Sequence, residues 1–148
     1  MKNKYRIILP VLAAALCVFA SCKKDENKSP SKKIDGTYHA FELTLNGQTT
    51  ELPTDDENID IQIASSGDKK AKVTLIDNYK GKPTEIPFDC TVSEDEEGEV
   101  VLTGSNDNGT LHLDFWNKTS IEFDFYNERS NEELFIGASK DGKKPGDW

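Results

Sequence analysis

Cys22, Cys90, His39, His112 and three acid-rich turns are the groups in this 148-residue chain whose types could do chemistry. Nucleophilic catalysis needs a cysteine, serine or carboxylate beside a histidine in a cleft. Cys90 instead lies in a period-two apolar run with Ile86, Phe88 and Val92. An inward position among such neighbours keeps a thiol protonated and inert. His39 falls in phase with Phe41 and is expected to face inward near one end of the fold, as a hydrogen-bonded side chain. His112 is expected to face outward across from Asp124. Two histidines set apart in this way make no metal site. The turns at 55–58, 94–99 and 106–109 cluster the oxygens that calcium takes, yet none has the D-x-[DN]-x-[DN]-G spacing with its distant glutamate. They read as solvated hairpin loops. No cofactor, metal or enzymatic activity is expected, and a hydrolase built on loop carboxylates is the least favoured reading.

Cys22 is placed differently. Before it come a basic head (Lys2, Lys4, Arg6), an apolar run over residues 7–20 and the small residues Ala20 and Ser21, which is the layout of an export signal. About 14 apolar residues are too few for a bilayer-spanning helix, which needs roughly 20, and Lys23, Lys24, Asp25 and Glu26 follow at once. The FASC stretch ending in Cys22 resembles a bacterial lipobox, with Phe19 in place of the usual Leu. That resemblance implies cleavage before Cys22 and fatty acylation, with palmitate-type chains, of its thiol and new amine. Two or three chains, at about 0.8 kcal/mol per buried methylene, hold a protein to a membrane where one would not. Lys24, Asp25 and Glu26 resemble the surface-export signal of Bacteroidota lipoproteins, which implies a lipid-anchored place on the outer membrane at the cell surface.

The segments that follow are a signal peptide over 1–21, a polar tether over 22–33, a folded domain over 34–139 and a tail over 140–148. Loss of Lys2, Lys4 and Arg6 takes the net charge from −9 to −12, each removing one positive charge. So acidic a chain is not suited to nucleic acid or to electrostatic docking on anionic lipid. With Cys17 removed and Cys22 acylated, Cys90 has no partner for an intramolecular disulfide.

From Thr37 onward, short stretches of period-two alternation are separated by Asn, Gly, Asp and Ser, the pattern of an antiparallel all-β domain. Asn46-Gly47 predicts a type I′ turn that pairs Leu45 with Gln48, Leu43 with Thr50 and Phe41 with Leu52. Ile59, Ile61 and Ile63 are expected to meet Leu75, Val73 and Ala71 in turn. After a loop over 77–83, Val92, Cys90 and Phe88 are expected opposite Val100, Leu102 and Gly104, with Pro87 outward at an edge or bulge. Asn108-Gly109 predicts a turn that sets Gly104 opposite Leu113 and Leu102 opposite Phe115. Phe115, Leu113 and Leu111 then meet Ile121, Phe123 and Phe125, and Phe125 and Phe123 meet Leu134 and Ile136. One inward apolar face survives every turn, and a one-residue slip anywhere would turn a strand inside out.

About nine strands in series, with no helix to cover the apolar face, must close on themselves or fold into two layers. A small antiparallel up-and-down barrel of about 8–9 strands is expected, and a β-sandwich is the second choice. Asp35, Gly36, Thr37 and Tyr38 open the first strand in a way that resembles the Gly-Thr-Trp or Gly-Thr-Tyr opening of lipocalin-like lipoproteins of Bacteroidota. That resemblance implies a binding module for a small apolar ligand. The bulky inward residues support an alternative, since a barrel of about eight strands has just room for its own side chains or one small ligand. The alternative is a filled barrel acting as a structural or interaction subunit of a cell-envelope complex. Outward aromatics Tyr38, Tyr126 and Phe135 mark the expected interaction surface, grouped on one wall if the first strand closes beside the last. In the competing arrangement the tail folds back and Trp148 covers them.

Overall fold

A computed structural model describes residues 34–146 and Trp148. The signal segment, Cys22, Lys24, Asp25, Glu26 and the tether lie outside the described residues. Nine strands follow in order: β1 Gly36–Leu45, β2 Gln48–Glu51, β3 Glu57–Gly67, β4 Lys70–Tyr79, β5 Lys82–Glu94, β6 Val100–Asn106, β7 Gly109–Asn117, β8 Ser120–Asn127 and β9 Glu132–Ser139. Each pairs antiparallel with its neighbour, and β1 also pairs with β9, so β1 and β3–β9 close an eight-stranded up-and-down barrel. The barrel, not the sandwich, is the architecture. The expected simple succession of strands fails at β2, which does not lie between β1 and β3. Both pair with β1 on the same side, β3 along Gly36 to His39 and β2 along Glu42 to Leu45. At four residues, β2 is an appendage of the barrel.

The first hairpin has the expected register, with Asn46 and Gly47 at φ 49° and 81°. Leu52 N–H also bonds Phe41 O at 3.0 Å, as their expected pairing requires. Three later registers differ from expectation by two residues, and the turns explain it. β3 runs on to Gly67, so Ile61 faces Leu75 and Ile63 faces Val73. The turn after β6 is Asp107-Asn108, held by Asn106 Oδ1 accepting from Asn108 N–H at 2.8 Å, so Leu102 meets Leu113 and Gly104 meets Leu111. A five-residue turn after β5 sets Val92 against Leu102 and Cys90 against Gly104. Even-numbered slips leave every side chain on its intended face, which is why the core forms as expected. The expected loop over 77–83 is a tight turn at Lys80-Gly81, with φ 52° and 74°. The β7–β8 and β8–β9 registers match expectation, pairing Leu113 with Phe123 and Phe123 with Ile136.

One-residue shifts at Ser65/Gly67 and Phe115/Asn117 fall at strand ends beside turns, whereas β1 carries one in mid-strand. A β-bulge between Ala40 and Glu42 adds one residue to this strand against β9, and the alternation reverses across it. Tyr38 and Ala40 therefore face the barrel interior, while His39 turns outward. This corrects two expectations. Tyr38 is fully buried and absent from the outer surface, its hydroxyl donating to Ile34 O at 3.1 Å. His39 is exposed, and its Nδ1 sits 2.6 Å from Asp60 Oδ1.

The middle of the barrel is filled by its own side chains. Tyr38, Ile61, Val73, Phe88, Leu102, Leu113, Ile121, Phe123 and Ile136 are essentially inaccessible. Phe88 meets Phe123 edge-on at 6.0 Å and Phe125 at 5.4 Å, tying β5 to β8 across the interior. Cys90 is buried here, and burial pushes its thiol up to about 11, with Asp89 adding to the effect, so it is protonated and inert. Gly104 makes room for it, since a Cβ there would stand 2.6 Å from Cys90 Sγ. Residues 82–88 of β5 outrun β6 and are unpaired on that side. Pro83 and Pro87 have no N–H to offer there, which blunts the edge against pairing with another strand.

Candidate functional site

Strand registers place outward side chains in rows across the wall formed by β6–β9 and β1. One row runs Thr103, His112, Asp124, Phe135, Thr44 and Thr49. Beside it runs Ser105, Thr110, Tyr126 and Glu133. A depression of about 670 Å³ lies along these rows, lined by Thr44, Thr103, His112, Asp124, Tyr126 and Phe135 among others. With strands about 4.8 Å apart, five of them give it a length of roughly 19 Å. Tyr126 is held in place by its hydroxyl, 2.7 Å from Asn131 Oδ1. Of the three aromatics expected on one outer wall, Tyr126 and Phe135 line one depression, and Tyr38 is excluded from it by the β1 bulge.

The depression is electrostatically one-sided. Asp124 and Glu133 line it, His112 Nε2 lies 2.9 Å from Asp114 Oδ2, and Glu122 stands across β7–β8 from Asp114. Partial burial holds both the Glu122 and Asp124 carboxyls above their ordinary range. Asp124 and Asp114 reinforce this for Glu122. For Asp124, His112 pulls the other way while Asp114 and Glu133 push further up. Groups with raised folded-state pKa bind more protons folded than unfolded, so their contribution to stability falls as pH rises through the carboxylate range. Glu122→Gln removes one repelling charge. Its melting temperature should exceed that of the parent at about pH 7 and match it near pH 3, where both carboxyls are protonated. An equal difference at both pH values would show that charge repulsion is not the cause.

A second outer feature is aromatic. At Gly137 a side chain would collide with Phe41 and Trp148, each 2.7 Å from the Cβ it lacks. Trp148 lies there against Phe41 at 4.9 Å, Trp116 at 5.6 Å and Phe135 at 6.1 Å. The tail is strapped down on its way. Ser139 Oγ donates to Asp141 Oδ1, Asp141 Oδ1 accepts from Lys143 N–H, and Lys144 Nζ meets Glu42 Oε2 at 2.6 Å. The tail thus covers part of Phe135, which still lines the depression, and leaves Tyr126 exposed. The sequence reading missed Phe41 and Trp116 as outer residues. It set His112 across from Asp124, as observed, but did not extend that row to Phe135, although its correct β8–β9 register already implied the alignment. Among the described residues, no three His, Cys, Asp or Glu side chains gather to hold a metal.

No protein-family model matches this chain, and no curated protein does. Among solved structures it is similar to the siderocalin Ex-FABP, described as functioning through dual ligand specificities. The TM-score is 0.54 over 78% of each chain at 8% identity. It is also similar to the odorant binding protein OBP1, with a TM-score of 0.50 over 79% of this chain and 77% of that one at 9% identity. At such identities the likeness is one of fold: the barrel is lipocalin-like.

Proposed function

We propose that the chain is a lipid-anchored outer-membrane protein, displayed at the cell surface, whose filled barrel recognises an envelope protein partner through its outer wall. One observation carries the choice of face. Side chains of the protein itself fill the barrel around Tyr38, Phe88 and Phe123, whereas the 670 Å³ depression lies outside, across β6–β9 and β1. Tyr126 and Phe135 supply flat contact area at low entropic cost, and Asp124 and Glu133 favour a partner segment bearing Lys or Arg. The Cys22 motif and the Lys24-Asp25-Glu26 stretch that follows it support the location.

A photo-crosslinking amino acid at Thr110, inside the depression, should trap one adduct of defined mass on intact cells. The same group at Thr74, outward on the far strand β4, should not. Equal labelling from both positions would overturn the choice of wall. A second reading, a small apolar ligand, is favoured by the inward residues Leu43, Leu45, Ile86, Phe125 and Leu134. All are partly exposed towards one mouth of the barrel, with Leu45 at 44%. A ligand there would rest on the packed core and not enter it.

A further inference from the structure

The end of the barrel at which the described chain begins carries an apolar crevice on the rim of the core, apart from the outer depression. Ile34, Val100, Phe115 and Trp116 line about 560 Å³ there, together with Glu99 and Lys118. Trp116 remains 45% exposed although Trp148 covers part of it. Ile34 belongs to the crevice wall, so the tether leaves the domain at this spot. About 12 residues separate it from Cys22. The covalent limit on the reach of that many residues is about 40 Å.

We propose that this end of the barrel docks on the bilayer that carries the anchor, with Trp116 entering the headgroup layer and the crevice facing the acyl boundary. The proposal rests on the anchoring of Cys22. An indole has an apolar body and one N–H donor, which suits it to the membrane interface. Charge selects the lipid. The β5–β6 turn at the same end carries Glu96, Glu97 and Glu99, and Asp95 Oδ1 folds it by accepting from the N–H groups of Glu97 and Glu99 at 2.9 and 2.8 Å. Such a rim repels anionic lipid and suits the ammonium groups of choline or ethanolamine headgroups. The mature chain as a whole, at −12 once Lys2, Lys4 and Arg6 are removed from the −9 of the full sequence, adds to that selection.

The test uses the full mature protein, purified with its acyl groups, in phosphatidylcholine vesicles. Trp116 and Trp148 are its only tryptophans. With Trp148→Phe, which keeps a ring against Phe41, the emission comes from Trp116 alone. Vesicles with brominated acyl chains should remove about half of that emission, and substituting anionic lipid should restore much of it. The wild type, which carries both tryptophans, should lose a smaller share in the same direction, guarding against a misfolded variant. Unchanged emission from protein that floats with the vesicles would overturn the docking and leave the anchor standing. Stronger quenching with anionic lipid would overturn the lipid choice. Failure of the wild type itself to float would remove the anchor and the docking together, and Cys22→Ala gives the reference for that result.

Discussion

Phe123→Ala should cost about 3–5 kcal/mol, the range for truncating a fully buried aromatic side chain. Phe123 is inaccessible to solvent, lies on β8 between Leu113 and Ile136, and packs edge-on against Phe88 from β5. Its loss opens a void at the centre of the barrel, where closed strands cannot move inward to fill it. A small domain has only about 5–15 kcal/mol to lose, so the variant should sit close to unfolding at ordinary temperature. Urea denaturation, with the midpoint compared at an unchanged slope, measures the cost. A midpoint equal to that of the parent would mean that the ring is not at the centre of a filled interior.

Removal of residues 141–148 should be the second largest loss, roughly 2–4 kcal/mol. The deletion takes Trp148 from Phe41, Trp116 and Phe135, uncovers Phe41 and breaks the contact between Lys144 and Glu42. The ion pair contributes little, because Lys144 is half exposed. The rings carry the effect, and Trp148→Ala in the intact chain should reproduce most of it. A thermal melt of each variant measures this. Unchanged melting would mean that the tail rests on the wall without stabilising it, leaving the aromatic patch free for a partner.

The barrel was legible because its information is parity. Alternation at Ile59, Ile61 and Ile63, and again at Leu111, Leu113 and Phe115, states which face is buried whatever the exact pairing. Register depends on turns, and turns are where reading failed. Asn108-Gly109 has the composition of a type I′ turn. Yet the chain turns one residue earlier, and Gly109 lies within β7, where a Cβ would run into the Tyr126 backbone carbonyl. The β1 bulge is invisible by the same logic. Nothing in Tyr38-His39-Ala40-Phe41 announces an extra residue, and Phe41 is as apolar as a core position requires. It is buried, but outside the barrel, beneath a tryptophan more than a hundred residues away. That single bulge exchanged the roles expected of Tyr38 and His39. The outer depression was half legible: Tyr126 and Phe135 stand out as apolar residues in outward phase and His112 falls across from Asp124, whereas the continuation of that row through Phe135 to Thr44 shows only when all the strands are laid side by side.

Native mass spectrometry of the mature protein, extracted from cells with its membrane and released from detergent in the gas phase, tests the filled barrel most directly. The account predicts a single species whose mass is that of the chain from Cys22 onward plus its covalent acyl groups, and no non-covalent passenger inside a barrel closed around Tyr38, Phe88 and Phe123. A retained apolar small molecule, shed only on unfolding, would contradict it and move the functional site from the outer wall to the interior.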